Sequence, residues 1–305
     1  MSIISKFIAV IMTIVTSLAG FFSDINGTIA DIHDKLFVPS VIADFEEKDE
    51  NAIRVMSFNI RYGDLGTLTA EDRYGMIEET IRKGHPDSVG LQEATTEWMA
   101  YLTEALSDEY AHVGIGRDDG VSAGEHSAIF YLKDKYTAVD SGNFWLSETP
   151  DVPSLGWDAG SNRICTWVVL ENNETGEQYV HINSHFDNAG YEARKNSVDM
   201  ILAKTKEFGE MPVVFTADMN ISEGSEEYNR MTAEGCLVDT KMIADDTMDY
   251  LTYHDRMPII HRGSVIDFVM VNDNFDALVY KVVTAGIDGN YVSDHFPIYA
   301  DIVIA

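Results

Sequence analysis

From Ile53 onward the chain is a succession of short β-rich apolar runs with few helical stretches between them, and this pattern limits the fold more than any other feature. Ile53–Ile60 (IRVMSFNI) is apolar enough for a buried strand, while Tyr74, Ile77 and Ile81 keep helical spacing until Gly84 and Pro86 end the helix. Ser88–Leu91 resumes a strand, and Trp98, Leu102 and Leu106 mark a second helix. His126–Leu132, Cys165–Glu171 and Tyr179–Asn183 read as further strands, the last two joined through Asn172, Asn173 and Gly176 in a hairpin-like turn. A helix is expected from about Ala189 to Phe208, then strands at Pro212–Phe215, Ser264–Val271 and Ile298–Ile304. The last alternates Ile298, Ala300, Ile302 and Ile304 on one face. The strict strand–helix alternation of a doubly wound sheet is missing, so the pattern predicts a two-sheet α/β sandwich.

Nearly every one of these strands ends in an acid, an amide or a histidine. Asn59 closes the first, Gln92 and Glu93 the second, and His185 and Asp187 follow Ile182-Asn183. Asp218 and Asn220 follow Val213-Val214-Phe215, Asp267 lies inside an apolar run, and Asp294-His295 precedes the last strand. Residues at the same ends of adjacent strands converge in space. Such a cluster offers hard oxygen ligands suited to Mg²⁺ or Mn²⁺, with neutral or cationic donors suited to phosphate oxygens. Taken singly, Asn59, Asp218 or Asn220 is better explained as a turn former than as a ligand. Asp267 is not, because inside Val265-Ile266-Asp267-Phe268-Val269-Met270-Val271 its carboxylate is buried and needs a partner, and His295 is available.

The 305 residues, 45% of them hydrophobic, can bury a sizeable core, and 21 Lys+Arg against 51 Asp+Glu leave a net charge of −30. That charge repels polyanions and disfavours nucleic acid, although a divalent ion in a local cleft inverts the potential that a phosphate meets. Cys165 and Cys236 are too few for a disulfide scaffold and are not spaced for zinc. Phe7–Phe22 carries no charge, and Ser17-Leu18-Ala19 supplies the small residues of a cleavage site, so the start of the chain reads as a signal peptide. A rival reading, an apolar stripe of Phe22, Ile25, Ile29, Ile32 and Leu36, gives an amphipathic helix lying on a membrane or on the domain. Asp44–Asn51 (DFEEKDEN) reads as a solvated linker. The expected organisation is therefore a signal peptide or membrane-associating leader plus acidic linker over 1–50, then one catalytic domain over 51–305. The expected location is secreted or membrane-associated and extracytoplasmic, with the cytoplasm left open. No protein partner is implied.

Ser57-Phe58-Asn59-Ile60-Arg61, Leu91-Gln92-Glu93, Asn183-Ser184-His185-Phe186-Asp187, Ala217-Asp218-Met219-Asn220, Ile266-Asp267-Phe268 and Ser293-Asp294-His295-Phe296-Pro297 stand in the order of a known superfamily. In this the chain resembles the endonuclease/exonuclease/phosphatase superfamily, which includes pancreatic-type deoxyribonuclease, abasic-site endonucleases, inositol polyphosphate 5-phosphatases, sphingomyelinases and deadenylases. The resemblance implies a four-layered α/β sandwich, two packed mixed β-sheets flanked by helices, that cleaves phosphoesters with Mg²⁺ or Mn²⁺ and without a covalent intermediate. It implies Glu93 as the principal metal ligand with Asn59 and Asp294 nearby. It also implies His185 and Asn220 as contacts to the scissile phosphate, Asp218 as the group that positions or deprotonates water, and Asp267 with His295 as a carboxylate–imidazole pair. Whether Asp218 or His295 is the base is left open.

Ala217 replaces the usual Gly, Met219 is a further change, and Arg61 stands where abasic-site endonucleases carry an acid, which points away from DNA repair. The segments around Gly116-Arg117, Gly124-Glu125, Phe144-Trp145, Trp157 and Arg163-Ile164-Cys165-Thr166-Trp167 resemble a bacterial subgroup close to sugar-phosphate phosphatase domains. Trp145, Trp157 and Trp167 are either core aromatics or a stacking platform, and Arg117 or Arg163 is a candidate bidentate phosphate clamp. The expected activity is that of a metal-dependent phosphoesterase acting on a small or medium phosphorylated substrate, a sugar phosphate above all. A nuclease and an inactive binding module are the alternatives.

Overall fold

The computed structural model describes residues 42–233, 235–255 and 264–305. In chain order the strands are β1 (Ile53–Asn59), β2 (Ser88–Gln92), β3 (Tyr110–Val113), β4 (Ile129–Leu132), β5 (Tyr136–Trp145), β6 (Ile164–Asn172), β7 (Gln178–His185) and β8 (Val213–Asp218). They continue as β9 (Val238–Asp239), β10 (Asp246–Thr247), β11 (Asp267–Val271), β12 (Phe275–Val282) and β13 (Ile298–Ile304). The helices are α1 (Ala70–Gly84), α2 (Thr96–Ala105), α3 (Tyr191–Glu207), α4 (Glu226–Ala233) and the single turn α5 (Thr240–Ile243).

One sheet runs β10-β12-β13-β1-β2-β4-β3 and the other β5-β6-β7-β8-β11-β9. Both are mixed, since β1–β2 and β7–β8 pair in parallel while β1–β13 and β8–β11 pair antiparallel. Three apolar layers follow. Val55, Val214, Val269, Tyr179 and Ile298 fill the space between the sheets. Ile77, Ile81, Trp98 and Leu102 pack α1 and α2 on the outer face of the first sheet, against Met56, Phe58 and Val89. Val198, Ile201 and Leu202 of α3, with Tyr228 and Met231 of α4, cover the second sheet over Ile182, Phe215 and Met270. Helices, sheet, sheet and helices therefore form the expected four-layered sandwich. The sheets close tightly at Gly90, where a Cβ would lie 2.1 Å from Thr216 Oγ1 and 2.5 Å from Asn183 Oδ1.

Several elements depart from the sequence expectation. The ten-residue β5 was not anticipated because it is an edge strand pairing only with β6, and residues such as Thr137, Asp140 and Ser141 give it no apolar run. β12 hides its alternation behind a bulge between Ala277 and Val279. β7 and β8 extend past their apolar runs to His185 and Asp218, since the parallel ladder continues through polar residues. The acidic segment Asp44–Asn51 is largely exposed, as a solvated run should be, but it is tied to the domain at several points. Phe45 packs on Tyr299, Lys48 pairs with Asp87, Asp44 with Lys83, and Glu46 with Lys281. The leader expectation lies outside the described residues, among which no helix is long and apolar enough to cross a membrane.

Candidate active site

Register alone assembles the centre. His185 stands opposite Asp218 in the last pair of β7 and β8, and Asp218 stands opposite Asp267 where β8 meets β11. In the other sheet Asn59 and Gln92 are the last pair of β1 and β2, with Glu93 next in the chain. The Asn59 amide bridges the two sheets, Nδ2 donating to Asp218 Oδ2 at 2.8 Å and to Glu93 Oε1 at 3.1 Å. Three residues just beyond these strand ends take left-handed backbone conformations: Arg61 (φ 54), Glu93 (φ 63) and Asn220 (φ 48). Non-glycine residues hold such conformations where surrounding contacts enforce them, a recurrent property of functional sites.

The anticipated carboxylate–imidazole pair is present. Asp267 and His295 are both buried, with His295 Nδ1 at 2.9 and 3.1 Å from the two carboxylate oxygens. His295 Nε2 faces Asp218 Oδ2 at 3.7 Å. Burial opposes charge on His295, but the Asp267 and Asp218 carboxylates outweigh it and drive the imidazole upward, so it is an imidazolium at neutral pH. Burial pushes Asp218 upward too, to about 7 and well above the usual carboxylate range, with His295 pulling it back and Asp267 adding to the rise. Burial, followed by the charges of Arg163 and Arg117, keeps His185 neutral. Asn220 Nδ2 donates to His185 Nε2 at 3.0 Å and to Phe186 O at 3.1 Å, which leaves the His185 proton on Nδ1, facing Glu125 Oε2 at 3.8 Å.

The ligand atoms of Asp218, Asp267 and His295 all lie within 4.8 Å of one another, close enough for a metal. His295 Nδ1 already engages both Asp267 oxygens, an arrangement suited to handling protons. The half-buried Glu93 is a different case. Among the described residues its oxygens receive only the Asn59 amide and the Tyr62 N–H at 2.9 Å, leaving carboxylate lone pairs free for a hard divalent cation. Asp294, the third expected ligand, is bonded to Arg61 Nη1 at 2.6 Å.

The expected substrate-binding residues are placed differently. The Arg117 fork is engaged by Glu125, at 2.7 and 2.9 Å. Trp145 is 5% exposed, donates its indole N–H to Arg117 O at 2.7 Å and lies against Gly120, so it holds the Arg117 loop and presents no stacking face. Trp167 packs on Phe208 beneath Lys204, on the α3 side of the second sheet. Arg163 reaches Asp187 Oδ2 at 3.2 Å and Asn188 Oδ1 at 3.3 Å, and its buried Nη1 has no hydrogen-bond partner among the described residues. It acts on His185 and Glu125 through charge.

Two residues escaped sequence reasoning. Glu125 is drawn among Arg117, Arg163 and Glu93 from a loop with no strand-end signature. Arg73 sits in α1 with nothing local to mark it, yet it is fully buried and donates to the carbonyls of Ile60, Arg61, Gly63 and Val292.

The fold has many solved counterparts. A mannosyl-6-phosphatase of Bacteroides thetaiotaomicron is 34% identical, with a TM-score of 0.77 over 83% of this chain and 100% of that one. An endonuclease/exonuclease/phosphatase from Bacteroides vulgatus is 36% identical, with a TM-score of 0.79 over 84% and 100%. The D. rerio TDP2 structure complexed with single strand DNA product shares the fold at 17% identity, with a TM-score of 0.64 over 83% and 99%. No curated protein sequence matches the chain. The family model described as "Endonuclease/Exonuclease/phosphatase family" matches residues 56–295, a span that takes in every strand-end residue of the centre from Asn59 to His295, and the chain belongs to that family.

Proposed function

We propose that this protein is a divalent-metal-dependent phosphoesterase that hydrolyses a small phosphorylated substrate, a sugar phosphate above all, by direct attack of water. The observation that carries the reading is the union of Glu93, Asn59, Asp218, Asp267, His295, His185 and Asn220 at one set of strand ends. Glu93 would hold the ion, Mg²⁺ or Mn²⁺, and Asn59, expected as a ligand, instead orients that carboxylate, its Nδ2 donating to Glu93 and Asp218 and its Oδ1 accepting from Arg61 N–H. When bound, the ion supplies neutralisation of phosphoryl-oxygen charge.

The other steps belong to the chain's own side chains. Asp218 orients water and takes its proton as the new P–O bond forms and the bond to the leaving oxygen breaks. The His295 imidazolium, held by Asp267, opposes the charge that grows on the phosphoryl group, and the Asn220 amide and His185 line the same space. The 34% identical mannosyl-6-phosphatase supports a sugar phosphate, and the net charge of −30 supports a small substrate over a polyanion. The uncharged Phe7–Phe22 run supports an exported or membrane-attached enzyme, which fractionation of the expressing cells would check.

A panel of sugar phosphates, nucleotides, inositol phosphates, a phosphodiester reporter and single- and double-stranded nucleic acid, run with Mg²⁺ or Mn²⁺ and with chelator, tests the reading. Chelator-sensitive turnover of a sugar phosphate is expected. Activity confined to nucleic acid would overturn the substrate class, and activity indifferent to chelator would overturn the metal.

A further inference from the structure

The two carboxylates that the strand-end pattern offers to a metal, Glu93 and Asp294, have opposite surroundings. Among the described residues Glu93 accepts hydrogen bonds only from an amide N–H and a backbone N–H. Asp294, with its side chain 5% exposed, already holds a cation, since Arg61 Nη1 lies 2.6 Å from Oδ2.

The arginine is built into place. Its backbone N–H donates to Asn59 Oδ1 at 2.9 Å, its Nε donates to Asp64 O at 2.9 Å, and its own left-handed conformation (φ 54) turns the chain immediately after β1. The buried Arg73 clamps the same turn from beneath through the carbonyls of Ile60, Arg61 and Gly63. One arginine thus fixes the backbone from which the other delivers its charge. A guanidinium at hydrogen-bond distance from a carboxylate repels a dication from it, and unlike a lysine or histidine it cannot lose its proton to make way. The Arg61 side chain remains 28% exposed, and Nη2 is bonded to none of the described residues, so the charge faces the cleft beside Glu93.

We infer that Arg61 closes Asp294 to metal, so that the centre holds one divalent ion, at Glu93, with the protein's own guanidinium standing where a second cation would bind. The inference rests on the metal-dependent reading above. It makes Asp294 the anchor of Arg61, in place of the metal ligand implied by resemblance.

Mn²⁺ binding to the full chain, followed by electron paramagnetic resonance and calorimetry with no substrate present, tests it. Only ions bound more tightly than ~0.1 mM are counted, because the acidic surface attracts cations weakly everywhere. One ion is expected. Glu93→Gln should weaken its affinity at least ~100-fold, whereas Asp294→Asn, which keeps an oxygen for Arg61, should change it less than ~3-fold, as expected for loss of a ligand against loss of a remote charge. Arg61→Gln should free Asp294 and raise the stoichiometry to two, with thermal melts confirming that each variant is folded. Two ions in the wild type, loss of binding in Asp294→Asn, or one ion persisting in Arg61→Gln would each overturn the inference while sparing the phosphoesterase reading. A wild type that binds no ion would overturn both.

Discussion

Asp267→Asn isolates the charge on the second sheet from its shape. The substitution keeps an oxygen for His295 Nδ1 but removes the anion now 2.9 Å away, leaving Asp218 Oδ2 at 3.7 Å and the weaker charge of Asp294 as counter-charges of the imidazole. With charge centres about 4 Å apart and an effective dielectric of about 20, the lost attraction is ~4 kcal/mol. At about 1.36 kcal/mol per pH unit that loss carries the His295 imidazole down by ~3 from about 10, so kcat should fall ~10-fold for each pH unit above about pH 7 as the imidazolium is lost, and change little at about pH 6. KM should stay within ~3-fold, because a group that acts only in the transition state leaves ground-state binding alone. Breaking a buried ion pair costs ~3–5 kcal/mol, the lower end applying where a hydrogen bond survives, so the Tm should drop by ~6–12 °C without loss of the fold. Steady-state kinetics on a reporter phosphoester at saturating Mn²⁺, beside a thermal melt and a Mn²⁺ titration, reads all three. A kcat within ~3-fold of wild type at about pH 8.5 would refute the assigned role of the pair. Recovery of the rate at high Mn²⁺ would show instead that Asp218, Asp267 and His295 are themselves the metal site.

Gly90→Ala should destabilise by at least ~3 kcal/mol or prevent folding, since its Cβ would meet Thr216 and Asn183 across the closest approach of the sheets; a melt within 2–3 °C of wild type, equivalent to ~1 kcal/mol, would refute this. Burial holds the fully buried His181 imidazole down at about 3, between Ser88 and Thr216, so the unfolded chain binds a proton below about pH 6.5 while the folded one does not until about pH 3. The stability this contributes is present above pH 6.5 and lost as pH falls, amounting to ~2 kcal/mol between pH 7 and pH 5. Urea unfolding at those two pH values should show a loss ~2 kcal/mol larger in the wild type than in His181→Gln, because His254 and His185, also held neutral by burial, add their own losses to both, and equal losses in the two would sink the assignment. Asp187 accepts from Gly160, Ser161, Ala189 and Gly190 N–H groups and from Arg163, so Asp187→Ala should unlatch that loop. It should lower kcat/KM ~10²-fold and open the loop to proteolysis, and unchanged kinetics would separate the loop from the site.

The layered fold was legible because its strands are apolar and its helices keep a regular period: Ile53–Asn59, Ser88–Gln92, Ile164–Asn172 and Ile298–Ile304 lie where the runs place them. What the pattern missed was the edge, where β5 buries too little to need an apolar run, and the bulged β12. The residues of the centre were visible for a related reason. A polar residue at the end of an apolar strand interrupts a local pattern, and Asn59, Glu93, His185, Asp218, Asn220, Asp267, Asp294 and His295 each do so.

The sequence by itself determined which chemical groups gather at the strand ends, because strand alternation and termination are local properties. Only the tertiary structure decided how they pair. Asn59 meets Asp218 across 159 residues of chain, and Arg61 meets Asp294 across 233. The same is true of Trp145, which sequence leaves free to be a platform or a core residue until the Arg117 carbonyl 28 residues away receives its indole N–H. Charges and donors choose partners by distance in space, which periodicity does not encode, so the groups of the centre could be named from the chain while the division between metal ligand, proton carrier and internal counter-cation emerged only when the two sheets packed.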